Sequence, residues 1–166
     1  MFLYQQNGDT YVYYRKFLLS AAIIVTPATL LAGGHAAFGG HGTSVITGSS
    51  TMEGKTGVLL SQTSEDVWIW DNAPDGYPTA SSASCMQYIA FATGQMMPIG
   101  YINVCQQVDV DGDVNLLQAN PQADGSFLVT QIAGTGKWAA FTGAQWVGKT
   151  DVNIGPNASV YSFAPK

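Results

Sequence analysis

The feature that most constrains this chain is the stretch from Gly100 to Gly143, in which short apolar runs alternate with turn sequences. The runs are rich in β-branched and aromatic residues, and the turns lie at Asp111–Asp113, Asn120–Gly125 and Gly134–Gly136. Runs of this kind, separated by clusters of Gly, Asp, Asn and Pro, are typical of antiparallel strands joined by tight turns. The stretch therefore predicts a β-meander.

Similar runs occur on both sides of the meander, and none shows the sustained 3.6-residue apolar period of a helix. We therefore expect no helix of consequence. Asn72–Ser84 is expected to form a long loop, and the Gly- and His-rich segment Ala37–Thr43 a mobile lead-in. The candidate strands are Thr43–Thr47, Gly57–Gln62, Asp66–Asp71, Cys85–Thr93, Gly100–Val108, Val114–Ala119, Ser126–Ile132, Lys137–Thr142, Gln145–Val152 and Ala158–Phe163. Short strands at this spacing favour an all-β barrel or sandwich.

The N-terminus has the pattern of an export signal. The basic pair Arg15 and Lys16 precedes an apolar run, and Gly34-His35-Ala36 places small side chains at the two positions that a signal peptidase inspects. The alternative is a membrane anchor. However, the apolar segment Phe17–Ala32 has 16 residues, fewer than the ~20 that a span requires, and Pro27 interrupts it.

We therefore predict a signal peptide at residues 1–36 and a β-barrel domain at residues 37–166. A protein processed in this way would be secreted or periplasmic, without membrane attachment after cleavage. Low charge agrees with export, because only 10% of the residues are charged, against ~25% in typical soluble proteins.

The charge balance of residues 37–166 excludes several classes of function. This segment has four lysines, no arginine and ten carboxylates, a net charge of −6. Binding of nucleic acid requires a basic surface, and recognition of phosphate favours the arginine fork. We therefore expect no nucleic-acid partner, no nucleotide and no cofactor.

The two cysteines, Cys85 and Cys105, are expected to form a disulfide. Gln95 lies ten residues from each of them, so a hairpin centred there would place the cysteines directly opposite each other. Facing residues of an antiparallel pair are close enough for a disulfide, and an exported protein meets an oxidising compartment. The alternative is two separately buried thiols.

One combination of motifs resembles a known family. The pattern Cys-x-x-x-Asp-x-Asp-Gly-Asp at Cys105–Asp113, followed by Gly134–Gly143, resembles secreted bacterial proteins of the allene oxide cyclase barrel-like group. This chain has Ala133, Trp138 and Ala140 where the family pattern has Gly, Tyr and Gly. The resemblance covers Ser82 to the C-terminus and implies a single antiparallel barrel of about eight strands, related to the calycins. It implies no activity by itself.

Within that motif, Asp111-Gly112 predicts a hairpin turn. Gly134 and Gly136 would let the chain reverse before a strand whose Trp138 and Phe141 project to opposite faces. The acidic turn has calcium binding as its alternative, because Asp109, Asp111, Asp113 and Asn115 alternate as in the first half of an EF-hand loop. Positions six and twelve of such a loop would be Val114 and Asn120 rather than Gly and Glu, so we predict a turn and no metal site.

Catalytic residues are scarce after residue 36. His41 is the only histidine there and falls in the expected mobile lead-in, and nothing in the spacing of Glu53 and Glu65 brings these carboxylates together. Plant allene oxide cyclase uses a buried carboxylate and a bound water that cannot be matched to positions here. The related dirigent barrels use acids and arginines, and the arginines are missing. We therefore name no catalytic residue and expect a protein that is not an enzyme.

Two functions remain open. The first is a non-catalytic secreted barrel that is structural or interacts with surfaces, and the second is binding of a small apolar ligand inside the barrel, with a cyclase-like enzyme as the lesser alternative. Trp68, Trp70, Trp138 and Trp146 suit either function, because aromatic residues inside barrels form packed cores or line ligand sites. The ligand-binding residues themselves are not predicted. An open or a filled interior would separate the two functions.

Overall fold

The computed structural model describes residues 38–166, which form an all-β barrel. Eight antiparallel strands pair in sequence order, and pairing of the first with the last closes the sheet. The strands are β1 (Gly39–Gly54), β2 (Gly57–Asp71), β3 (Ala80–Ala92), β4 (Gly100–Asp109), β5 (Val114–Pro121), β6 (Phe127–Gly134), β7 (Gln145–Ile154) and β8 (Ala158–Pro165). The predicted fold class is confirmed, whereas the predicted signal peptide, residues 1–36, lies outside the described residues.

Alternation along the strands decides which side chains enter the barrel. In β2, Asp66, Trp68 and Trp70 are buried, while Val67 and Ile69 between them are exposed. Successive side chains of a strand point to opposite faces of a sheet, so the buried set lies inside the barrel and the exposed set outside. The strand registers continue this inward set around the barrel, with register shifts between β1 and β2, between β5 and β6 and between β7 and β8.

The two ends of the barrel differ in their connections. One end carries the start of β1 and the two long connections, residues 72–79 and 135–144. Aromatic side chains pack there with ring centroids 5.1 to 6.5 Å apart. We call it the aromatic end, and its cluster consists of Phe38, Trp70, Tyr77, Trp138, Phe141 and Trp146. The opposite end, here the cavity end, carries shorter connections, among them the β7–β8 turn Gly155–Asn157.

The prediction of a strand at Lys137–Thr142 is wrong. Gly136–Phe141 forms a 3-10 helix, and Trp138 and Phe141 both pack into the aromatic cluster instead of projecting to opposite faces. Gly136 allows the chain to enter this turn, since its φ is +50° and any side chain there would collide with the Asp113 carboxylate. The apolar composition of the segment is explained by burial against the barrel end, not by strand pairing.

The start of the barrel also differs from expectation. The segment predicted as a mobile lead-in is part of β1 from Gly39, and Phe38 is buried among the aromatic side chains. The two runs predicted between residues 57 and 71 are one strand, β2. The long loop expected at Asn72–Ser84 ends sooner, because β3 begins at Ala80. Pairing with neighbouring strands thus orders segments whose small, polar residues carry little local strand signal.

No helix within residues 38–166 has both the length and the apolar character needed to cross a lipid bilayer.

Candidate functional site

The barrel interior is open at the cavity end. A cavity of about 220 Å³ lies inside the wall, all eight strands contribute to its lining, and the β7–β8 turn lies at its mouth. Sites for drug-sized ligands begin at roughly 300 Å³, so this cavity suits a smaller molecule.

Small inward-facing residues create this cavity. Ser44 of β1, Ala119 of β5, Gly148 of β7 and Ser159 of β8 line it. At the aromatic end, the inward position of β7 is Trp146, two residues before Gly148, and its side chain is fully buried. An eight-stranded barrel is just wide enough for side chains to fill, so replacing large side chains with small ones on several strands leaves space for a ligand.

Asp66 places a carboxylate at the cavity. The residue is 8% exposed, and its carboxylate accepts hydrogen bonds from Ser64 Oγ at 2.8 Å and from Tyr161 Oη at 3.0 Å. Burial raises the pKa of Asp66 above the ordinary aspartate value, and hydrogen bonds from Ser44, Ser64 and Tyr161 only partly oppose this. No Lys or His nitrogen among residues 38–166 lies within 4 Å of the carboxylate. Asp66 is therefore a buried acid without a cationic partner.

Two tyrosines complete the polar part of the wall. Burial and the adjacent Asp66 carboxylate raise the pKa of Tyr161 above the ordinary tyrosine value, and burial likewise raises the pKa of Tyr101. Both phenols are therefore neutral at physiological pH and act as hydrogen-bond donors. Tyr101 Oη donates to Gln87 Oε1 at 2.9 Å, which fixes the ring at the wall.

Trp68 forms an apolar part of the cavity wall together with the ring of Phe163. Their ring centroids are 4.8 Å apart, and Tyr161 packs against Trp68 at 5.6 Å. The Trp68 indole N–H is buried and has no hydrogen-bond acceptor among the described residues. Buried donors are normally paired, so this indole N–H is an exception among the buried polar groups.

The predicted disulfide joins Cys85 and Cys105. The two residues face each other in the β3–β4 register with Cα atoms 4.1 Å apart, and the hairpin is centred at Gln95 as predicted. Both residues are buried inside the barrel, and Cys105 also lines the cavity. The bridge thus forms part of the inner wall between the two ends.

The acidic turn belongs to the aromatic end, away from the cavity. The ammonium group of Lys137 lies between three carboxylates, at 3.2 Å from Asp109 and 3.4 Å from Asp113, with Asp111 also in contact. Gly112 has a φ of +84°, as the hairpin turn between β4 and β5 requires. The carboxylates therefore surround a lysine of the chain itself. Asn115, the fourth residue of the EF-hand-like pattern, points into the barrel and donates to Gln107.

Asp109 is buried like Asp66, with 7% exposure, but its surroundings are opposite in character. Burial alone would raise its pKa, but hydrogen bonds from the Trp138 indole at 2.9 Å, from Lys137 and from two backbone amides outweigh it and lower the pKa of Asp109. In return the carboxylates, Asp111 foremost, raise the pKa of Lys137. This group anchors the 3-10 helix to the β4–β5 turn.

The other residues considered at the sequence level do not form a site. His41 lies on the outside of β1, where its Nδ1 is 3.2 Å from Asp71 Oδ2, and Glu65 accepts a hydrogen bond from Ser84 on the outer surface. Glu53 faces Val58 near the β1–β2 turn, whereas Glu65 faces Val45, so the two glutamates are far apart along the hairpin. Residues 38–166 contain no cluster of three His, Cys, Asp or Glu side chains arranged to hold a metal ion.

Asp66 and Tyr161 were not predicted as site residues, and Trp68 was named only as one of four tryptophans suited to a core or a ligand site. A signal was present in β2, where Ser64, Asp66, Trp68 and Trp70 occupy every second position. An acid in register with two tryptophans shares their face, so a buried carboxylate was foreseeable there. Its neighbour Tyr161 is 95 residues away, and only the β1–β8 closure brings them together.

Comparison of the chain with protein-family models, with curated proteins and with solved structures finds no match.

Proposed function

We propose that this protein binds a small, largely apolar molecule inside the cavity end of its barrel. The observation that carries the proposal is the cavity itself, because the aromatic end of the same barrel is filled and the cavity end is not. The wall combines apolar rings with a few polar groups, Asp66, Tyr101 and the unpaired Trp68 indole, which is the usual composition of a small-molecule site.

The proposal is for binding without catalysis. Within residues 38–166 the single histidine, His41, lies on the outer surface, and both cysteines are in the disulfide, so the cavity has neither a histidine base nor a thiol nucleophile. Asp66 is the one observation in favour of the lesser alternative, a cyclase-like enzyme. Its carboxylate is held by neighbouring hydroxyl groups, which suits the recognition of a ligand as well as proton transfer.

The experiment uses a neutral dye that brightens in apolar surroundings, N-phenyl-1-naphthylamine. We expect saturable fluorescence enhancement with the wild-type protein. The cavity-filling variant Ala119→Leu should weaken it severalfold, because Ala119 lines the cavity. The matched control is Ala123→Leu in the exposed β5–β6 turn, which should bind the dye like the wild type. Enhancement that Ala119→Leu leaves unchanged would place the dye elsewhere and contradict the proposal.

A surface-interacting role is the second candidate, favoured by exposed apolar side chains near the cavity end. Met96 and Met97 in the β3–β4 connection are 94% and 77% exposed, and Met52 and Ile99 are also exposed. Contiguous exposed apolar patches are typical of contact surfaces, and Met96, Met97 and Ile99 are close neighbours in one connection. If they mediate self-association, sedimentation velocity would show concentration-dependent dimers that the double variant Met96→Ser, Met97→Ser abolishes, with dye binding unchanged.

We further propose that the chain is an exported member of the allene oxide cyclase barrel-like, calycin-related group. The disulfide supports export, because such bonds persist in oxidising compartments. Intact-mass measurement of protein from the native host should give a chain that begins within a few residues of Ala37. A mass that retains Phe17–Ala32 in a membrane fraction would favour the anchor instead.

A further inference from the structure

We propose, building on the ligand-binding function above, that the ligand is a small organic amine. Its ammonium group would bind the Asp66 carboxylate, and its apolar part would lie against Trp68, Tyr161 and Phe163. Three properties of the cavity wall favour an amine, namely its charge, its remaining hydrogen-bond acceptor positions and its aromatic rings.

The first property is the charge of Asp66. Asp66 is buried and has no cation within 4 Å among the described residues. A carboxylate removed from water is unfavourable unless a positive charge or strong hydrogen bonds compensate. Lys149 also lines the cavity, but its side chain is largely exposed and its ammonium group is 3.5 Å from Asp151. The cavity therefore has a negative group whose counter-charge can come from a ligand.

The second property is the hydrogen-bonding capacity of the Asp66 carboxylate. One carboxylate oxygen of Asp66 accepts from Ser64 and the other from Tyr161, with the Ser44 hydroxyl nearby. A carboxylate has about four acceptor positions, so at least one remains for an N–H of the ligand. Since these neighbours are neutral hydroxyl donors, they hold the carboxylate in place without supplying a counter-charge.

The third property is the group of aromatic rings in the cavity wall. The rings of Trp68, Phe163 and Tyr161 pack against one another with centroids 4.8 to 6.4 Å apart, and Tyr161 also donates its hydroxyl hydrogen to the Asp66 carboxylate. Aromatic faces attract ammonium groups and also pack against apolar carbon. A carboxylate next to such rings is the combination of groups that recognises an amine with an apolar substituent.

The same features disfavour other ligand classes. A fatty acid or another carboxylate ligand would place its negative charge beside the Asp66 carboxylate, and two adjacent negative charges repel each other. The segment after residue 36 carries ten carboxylates against four lysines, so long-range attraction also favours cations. A neutral apolar ligand fits the space but gives the Asp66 carboxylate no counter-charge.

The experiment compares three probes of similar size by isothermal titration calorimetry at pH 7. They are phenethylamine, a cation; 2-phenylethanol, its neutral analogue; and 3-phenylpropanoate, an anion. We expect phenethylamine to bind at least about tenfold more tightly than 2-phenylethanol, the factor supplied by one charge-assisted hydrogen bond. We expect no detectable binding of 3-phenylpropanoate.

The variant Asp66→Asn should reduce this preference to near unity while binding of 2-phenylethanol persists. The control Asp124→Asn removes the same charge from an exposed turn and should keep the preference. Equal affinities for amine and alcohol in the wild type would overturn the amine inference, and so would absence of binding by all three probes. Neither result depends on the folding of a variant.

Binding of N-phenyl-1-naphthylamine tests the ligand-binding function independently of the amine inference. If the dye binds in the cavity but phenethylamine shows no preference, the ligand-binding function stands and the amine inference fails. If neither the dye nor any probe binds, both fail.

Discussion

The two ends of the barrel each contain one buried aspartate, and the two aspartates have different surroundings. Asp109 at the aromatic end is paired with Lys137 and with the Trp138 indole, which belongs to the packed aromatic cluster. Asp66 at the cavity end contacts only hydroxyl donors beside an open cavity. The two aspartates have almost equal exposed fractions, so they are distinguished by the groups that contact their carboxylates. The filled end serves stability, and we infer that the open end serves binding.

The largest expected effect concerns packing at the two ends. Trp146→Ala should lower the free energy of unfolding by about 3 to 5 kcal/mol, because this fully buried ring packs against Phe38 and Trp70 and would leave a void. Phe127→Ala at the cavity should cost only about 1 to 2 kcal/mol, because this ring is half-buried beside existing space. Urea unfolding measures both. Equal losses would mean that the two ends are packed alike.

The next effect concerns the disulfide between the ends. Replacing Cys85 and Cys105 together by Ala should lower the free energy of unfolding by about 3 kcal/mol in the chain-entropy view, since the bridge closes a loop with a sequence separation of 20. Urea unfolding of the double variant tests this figure. Thiol counting on denatured, unreduced wild-type protein from the native host should find no free thiol, and two free thiols would refute the bridge.

A third prediction uses pH to contrast the aspartates. The pKa of Asp66 is raised in the folded state, so its contribution to stability falls as pH rises from the ordinary aspartate value to the raised one. The pKa of Asp109 is lowered, so its contribution is complete above the ordinary value and is lost as pH falls through the folded-state pKa.

Replacing each aspartate by asparagine should therefore change the pH dependence of stability in opposite directions. Relative to wild type, Asp66→Asn should become more stable as pH rises from acidic to neutral, and Asp109→Asn should become less stable over the same range. Thermal unfolding between pH 3 and 7 measures both trends. Trends of the same sign would remove the distinction between the two ends.

The smallest expected effect is that of calcium on the acidic turn. Because the Lys137 ammonium group already lies between Asp109, Asp111 and Asp113, millimolar calcium should leave the Tm nearly unchanged. A saturable rise in Tm that Asp111→Asn abolishes would contradict this and give the aromatic end a ligand of its own.

Local sequence predicted much of the fold. The β4–β5 turn at Asp111-Gly112 and the β3–β4 hairpin at Gln95 follow from turn residues and strand spacing, and both are present. The segment Lys137–Thr142 was predicted wrongly, because Trp and Phe favour strands and also favour burial. Its 3-10 turn depends on contacts with Asp109 and Asp113, which are 24 or more residues away.

The site was predicted less well than the fold. That an eight-stranded barrel could enclose a small ligand was expected, but the lining was not, because the cavity arises from small residues at inward positions on separate strands. Neither Ala119 nor Gly148 predicts a cavity from its position in the sequence alone. The two residues line the same cavity only because the barrel closes. The ion pairs of Lys137 were missed for the same reason, since lysine and acidic turn meet through tertiary structure.

The most direct test of the contrast between the ends is a carbon-detected NMR titration of the aspartate carboxyl groups, with and without phenethylamine. We predict that Asp66 titrates above the ordinary aspartate pKa in the free protein and that the amine lowers this pKa, because the bound cation favours the charged form. Asp109 should titrate below the ordinary value in both samples. An Asp66 pKa at or below that of Asp109, or one that the amine leaves unchanged, would contradict the account.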